Sequence, residues 1–224
     1  MASLVFDIET LALPLETLDS AQREYLTKFT ETEEEREAEL KKMSLYPLTA
    51  EVLAIGMLNP DTRAGRVLYQ SNVRETFSSE DGKIEFLSGD EPFILRTFWE
   101  DVKRYDRIVT FNGRTFDCPF LMIRSAVQSI LPSRNLIPYR YDASKHCDLL
   151  DQITFYGATR KFNLDFYCKA FGIPSPKSDG ITGADLGPLF QNGEYRRIAQ
   201  YCIGDVIATA ELYRRWNQFL NIRD

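Results

Sequence analysis

Ser3-Leu4-Val5-Phe6-Asp7-Ile8-Glu9-Thr10 is the stretch on which the reading of this chain turns. Ser3 to Phe6 is short, apolar and rich in β-formers, the composition of a buried strand, and it runs straight into two acids. Side chains two apart on a strand share a face, so Asp7 and Glu9 leave the strand's end pointing the same way. Carboxylates held that close repel unless a cation or a proton compensates them. A strand end with two solvated acids is the bland alternative, and D-x-E by itself does not separate the two.

Outward from that strand, residues 16–46 become helical and charged. Tyr25, Leu26, Phe29, Leu40 and Met43 give only a sparse apolar stripe, which predicts one or two exposed helices closed by Pro47. Glu31 to Glu39 holds six Glu and one Arg, so most of the chain's net charge of −6 is local to this segment. The acidity therefore argues against tight wrapping of a duplex, not against an enzyme that grips a short single-stranded end. The segment reads as an insertion of solvated helices, with a surface for a protein partner as the alternative.

Glu51 to Leu58 and Arg66 to Gln70 read as two further strands around the turn Asn59-Pro60-Asp61. Lys83 to Leu87 reads as an edge strand and Arg107 to Phe111 as a fifth strand. Helical periodicity marks Glu91 to Tyr105, Phe116 to Val127, Leu149 to Phe155, Leu164 to Phe171, Leu186 to Phe190 and a long run from Glu194 to Trp216. No repeat or linker interrupts the 224 residues. The expectation is one α/β domain over 1–224: a mixed sheet of about five strands, the first three antiparallel, flanked by helices.

Composition removes several chemistries. No run of 18 apolar residues exists, so no membrane span is expected. The N-terminus lacks the basic start and apolar core of a signal peptide, which makes the cytoplasm the default compartment. The four cysteines form no C-x-x-C pair and suggest buried thiols. A single histidine, His146, leaves any catalysis to carboxylates and tyrosines.

Two further motifs join the first. In Phe111-Asn112-Gly113-Arg114-Thr115-Phe116-Asp117 a strand ends, a Gly permits a tight turn and an Asp opens a helix. The local account makes Asn112 a turn residue and Asp117 an N-cap. In Tyr201-Cys202-Ile203-Gly204-Asp205, Tyr201 and Asp205 lie one helical turn apart on one face. Gly204 costs about 1 kcal/mol there, which suggests close approach of something.

Taken in order, strand-end D-x-E, N-G-x-x-F-D and Y-x-x-x-D resemble the DEDDy branch of the DnaQ-like exonucleases, which have the RNase H-like fold. FNGRTFDCPFL and YCIGDVIATAELYRRW resemble in particular the exonucleases related to the proofreading domain of family B DNA polymerases. The resemblance runs from Leu4 to Trp216 and takes in LDFYCKAFGIPSPKSDG, but not the charged insertion. It implies 3′–5′ removal of nucleotides from single-stranded nucleic acid, DNA ahead of RNA, with two divalent cations, Mg²⁺ or Mn²⁺. By the resemblance, Asp7, Glu9, Asp117 and Asp205 hold the metals and Tyr201 orients the attacking water. Asn112, Gly113, Phe116 and Lys177 would contact substrate, Arg160 and Lys161 are further phosphate candidates, and Asp148 is expected to cap a helix. The rivals are a nucleic-acid-binding module without catalysis and an RNase H-like endonuclease.

Overall fold

The structure is a computed structural model that describes residues 2–175 and 180–222. Its strands are β1 (Ser3–Ala12), β2 (Ala50–Leu58), β3 (Gly65–Gln70), β4 (Thr76–Ser78), β5 (Ile84–Gly89), β6 (Arg107–Thr110) and β7 (His146–Asp148). They form one mixed sheet in the order β4-β5-β3-β2-β1-β6-β7. β1, β2 and β3 are antiparallel, as expected, while β3–β5, β1–β6 and β6–β7 are parallel.

Among the described residues seven strands stand where about five are anticipated. The two extra ones, β4 and β7, have three residues each, too short to show a period-2 pattern. β4 pairs outside β5, so the edge position expected for Lys83 to Leu87 passes to it.

Each face of the sheet is covered. Leu4, Phe6 and Ile8 of β1 enter one core, with α3 (Glu91–Val102) and α4 (Asp117–Val127). Val5 enters the other, against the long α8 (Tyr195–Phe219). α5 (Leu149–Ile153), α6 (Leu164–Ala170) and α7 (Leu186–Gln191) complete that second layer. In the first layer, Glu91 and Arg124 form a buried ion pair at 2.6 Å. The Glu91 carboxylate also accepts from Val52 N and Gln128 Nε2, so its buried charge is met on several sides.

The acidic insertion folds as α1 (Ser20–Leu26) and α2 (Glu33–Lys41). Each opens with a capping box, Asp19 with Gln22 and Thr32 with Glu35, and neither buries a residue. Local capping holds these helices, since they supply nothing to the core.

Candidate active site

β1 is ten residues long, so Asp7 and Glu9 lie within the strand and not at its end. This corrects the expected strand end: two acids do not stop β1, which stays paired with β2 as far as Ala12. The parallel partner β6 stops much earlier. It matches only Ser3, Leu4 and Val5, so both acids stand beyond the end of that ladder, where an α/β sheet opens toward ligands. Alternation turns Leu4, Phe6 and Ile8 into the α3–α4 core and directs Asp7 and Glu9 to the side of α8.

Asp117 arrives from the turn after β6. It is the first residue of α4, not its N-cap, which is Phe116. Its Oδ1 accepts the Ile8 N–H at 3.1 Å. That bond ties the start of α4 to the backbone between Asp7 and Glu9. Asp205 and Tyr201 come from α8, which packs close to β1 and β2 because Gly56 faces Asp7 across the ladder. A Cβ on Gly56 would sit 2.8 Å from Val206 Cγ2 and 3.1 Å from Cys202 Sγ. The glycine in the middle of EVLAIGML is the sequence signal for this contact, since Gly inside a strand marks close approach of another element.

The four acids feel one another. Burial, then the charges of Asp117, Glu9 and Asp205, raise Asp7 well above the usual carboxylate range. Burial, then Asp205 and Asp117, do the same to Glu9. Burial raises Asp117 to about 7 although backbone N–H bonds oppose it, with Asp148 and Asp205 adding to the rise. For Tyr201, burial and the charges of Glu9, Asp205 and Asp7 push the phenol further up. Cys202, absent from the expected site, lies with Asp7 and Glu9 such that one donor atom from each falls within 4.8 Å of the others.

Asp7, Tyr201 and Asp205 line a cavity of about 510 Å³ with Phe111, Asn112, Lys161 and Phe162. Glu9 and Asp117 are more deeply buried, 9% and 3% exposed. A larger cavity, about 730 Å³, opens against Tyr201, Gly204 and Ile207 but touches none of the four acids.

Comparison with known proteins gives the family and the fold. The family described as "Predicted 3'-5' exonuclease related to the exonuclease domain of PolB" matches residues 67–221. The chain belongs to this family. DNA polymerase 1 of Sulfurisphaera ohwakuensis is 27% identical over 150 residues, covering 59% of this chain and 17% of the polymerase. The structure of the family B DNA polymerase from Pyrobaculum calidifontis superposes with a TM-score of 0.61 at 20% identity, over 98% of this chain and 25% of that one. The fold is thus shared with a family B polymerase, in keeping with the RNase H-like arrangement, and the chain spans a small part of the length of either relative.

In this PolB-related exonuclease family member the N-G turn is built by a carboxylate from farther along the chain. Asp148 caps α5, accepting from Leu150 N at 3.0 Å, as expected of a cap. It also accepts from Asn112 N at 3.0 Å and Arg114 N at 2.9 Å. Asn112, not Gly113, takes the left-handed conformation, with φ 61°. Gly113 is needed for another reason: a Cβ there would lie 2.5 Å from the Thr110 side chain.

The residues expected to contact substrate divide. Asn112 is in the cavity wall. Gly113 is buried under the turn, and Phe116 packs against the α3–α4 core with its ring 5.6 Å from that of Phe120. Lys177 lies outside the described residues. His146 is buried against Thr110 Oγ1 at 2.8 Å, and burial lowers its pKa to about 3, so it stays neutral. The four cysteines are buried free thiols. Among the described residues no helix is long and apolar enough to cross a membrane.

Proposed function

We propose that this chain is a metal-dependent 3′–5′ exonuclease acting on single-stranded nucleic acid, DNA in preference to RNA. The observation that carries the reading is the gathering of four acids: Asp7 and Asp205 line one cavity, Asp117 accepts the Ile8 N–H between Asp7 and Glu9, and Asp117, Glu9 and Asp205 all raise Asp7. Buried like charges gathered so closely are unstable without protons or cations to compensate them.

The donor set is mostly hard oxygen, which suits two Mg²⁺ or Mn²⁺ ions held by these four residues. When bound, such ions supply Lewis-acid stabilisation of charge on a scissile phosphate. The chain's own groups do the rest. Tyr201, its pKa raised by burial and the acids, keeps its proton and orients the attacking water as a hydrogen-bonding group. Asp148 fixes the backbone of the Asn112 turn, and Asn112 meets the terminal nucleotide. A binding module without catalysis would gain nothing from acids placed against phosphates.

A 5′-labelled single-stranded oligonucleotide incubated with Mn²⁺ should shorten progressively from its 3′ end. A circular strand should survive. Asp7→Ala and Asp205→Ala should each abolish trimming while circular dichroism shows the fold intact. Undiminished trimming by the purified double variant defeats the assignment.

A further inference from the structure

The rim of the carboxylate cavity carries an aromatic stack that the hydrolytic groups do not explain. Phe162 lines the cavity beside Asp7, Asn112, Tyr201 and Asp205. The Phe166 ring lies almost parallel to it, with centroids 4.2 Å apart and planes 11° from each other. The Arg160 guanidinium sits 5.0 Å from the centre of the Phe162 ring.

Local folding accounts for only half of this arrangement. Asn163 caps α6, accepting from Phe166 N at 2.9 Å. Phe162, just before the cap, meets Tyr167 edge-on at 6.1 Å, the apolar contact that fixes the entry of a helix. Phe166 has no part in that contact. It is 53% exposed, and among the described residues its only ring neighbour is Phe162. Arg160 and Lys161 are both exposed, and neither meets a carboxylate among the described residues. Phe166 is thus an exposed ring backed by Phe162, which lines the pocket of acids with Lys161 and carries Arg160 beside it, and such an arrangement fits a flat base joined to phosphate.

We propose that Phe162, Phe166 and Arg160 form a stacking platform for an unpaired base next to the departing nucleotide, with Lys161 at its phosphate. This rests on the reading of the cavity as a nuclease site and adds the origin of its preference for single strands. A base in a duplex already has both faces covered by its neighbours, whereas an unpaired one offers a free face to Phe166.

The test uses the full chain carrying Asp205→Asn to suppress hydrolysis. The probe is a single-stranded oligonucleotide with 2-aminopurine as the second base from the 3′ end, because stacking quenches its fluorescence. Binding should quench the probe. Phe166→Ala should weaken single-strand binding by roughly tenfold and abolish the quench. Phe166→Tyr should retain both, and blunt-duplex binding should be unchanged by either variant. An Ala variant that binds and quenches like its parent overturns the platform, as does a parent that binds without quenching. If quenching depends on Phe166 while the unmodified chain trims nothing, the platform stands and the exonuclease reading falls. Trimming by the unmodified chain together with Phe166-independent binding gives the converse.

Discussion

At Tyr201, burial and three neighbouring carboxylates hold the phenol above its ordinary pKa, so the hydroxyl remains protonated at any working pH. In the proposed mechanism its use is to position, not to abstract a proton. Tyr201→Phe should lower turnover by roughly a hundredfold, the scale of a misplaced reactant, with Mn²⁺ affinity unchanged. Parallel single-turnover rates and metal titrations would check this. A large shift in metal affinity would assign Tyr201 another role. That Tyr201, Asp205, Asp117, Asp7 and Glu9 lie near one another was legible because each sits in a motif of short range. Phe116 was harder to place. Its identity suits stacking on a base, yet a ring one residue before α4 is drawn against Phe120, and only packing decides that.

Elements bring the motifs together, and this scale was the least legible. Nothing in Cys147-Asp148-Leu149 indicates that β7 will run parallel to β6 and place Asp148 against the amides of Asn112 and Arg114. The local pattern foretold the cap, while the cross-strand bonds depend on a pairing 36 residues away. Asp148→Ala removes the α5 cap and leaves two amides of the turn without their acceptor. The expected loss is roughly 2–4 kcal/mol of stability, read by urea denaturation, with turnover reduced in the fraction that remains folded. Stability within about half a kcal/mol of the parent would mean that the turn holds itself. The long β1 has a similar lesson. Composition predicts a strand that ends at Asp7 and Glu9, but the ladder with β2 carries the chain past both, and a pairing of that length is invisible to composition.

For the molecule as a whole, the site stores electrostatic repulsion that the fold must tolerate. Asp117 titrates near 7 in the folded chain against an ordinary value of 3.8, and Asp7 and Glu9 are also raised. Between those limits the folded state binds more protons than the unfolded chain. Stability in the absence of metal therefore falls as pH rises from about 4 to about 7, and stays reduced above. Under the proposed function divalent cations would replace the protons, so Mg²⁺ or Mn²⁺ should raise the melting temperature most above pH 7 and least near pH 5. Thermal melts with and without chelator across that range would read this directly, and a metal effect that grows toward acid pH has the wrong sign. The general architecture was legible at this scale. Three antiparallel strands, helices on both faces and the solvated acidic pair follow from patterning, while the three-residue strands β4 and β7 were too short to read.

The most direct test is the binding stoichiometry of Mn²⁺, measured on the chelator-treated chain by calorimetry or by the loss of free-ion signal in electron paramagnetic resonance. Two ions per chain should bind at neutral pH, with binding diminished in Asp7→Ala and in Asp205→Ala. A wild-type chain that takes up no Mn²⁺ at saturating concentration, or one whose uptake is indifferent to both substitutions, contradicts the account.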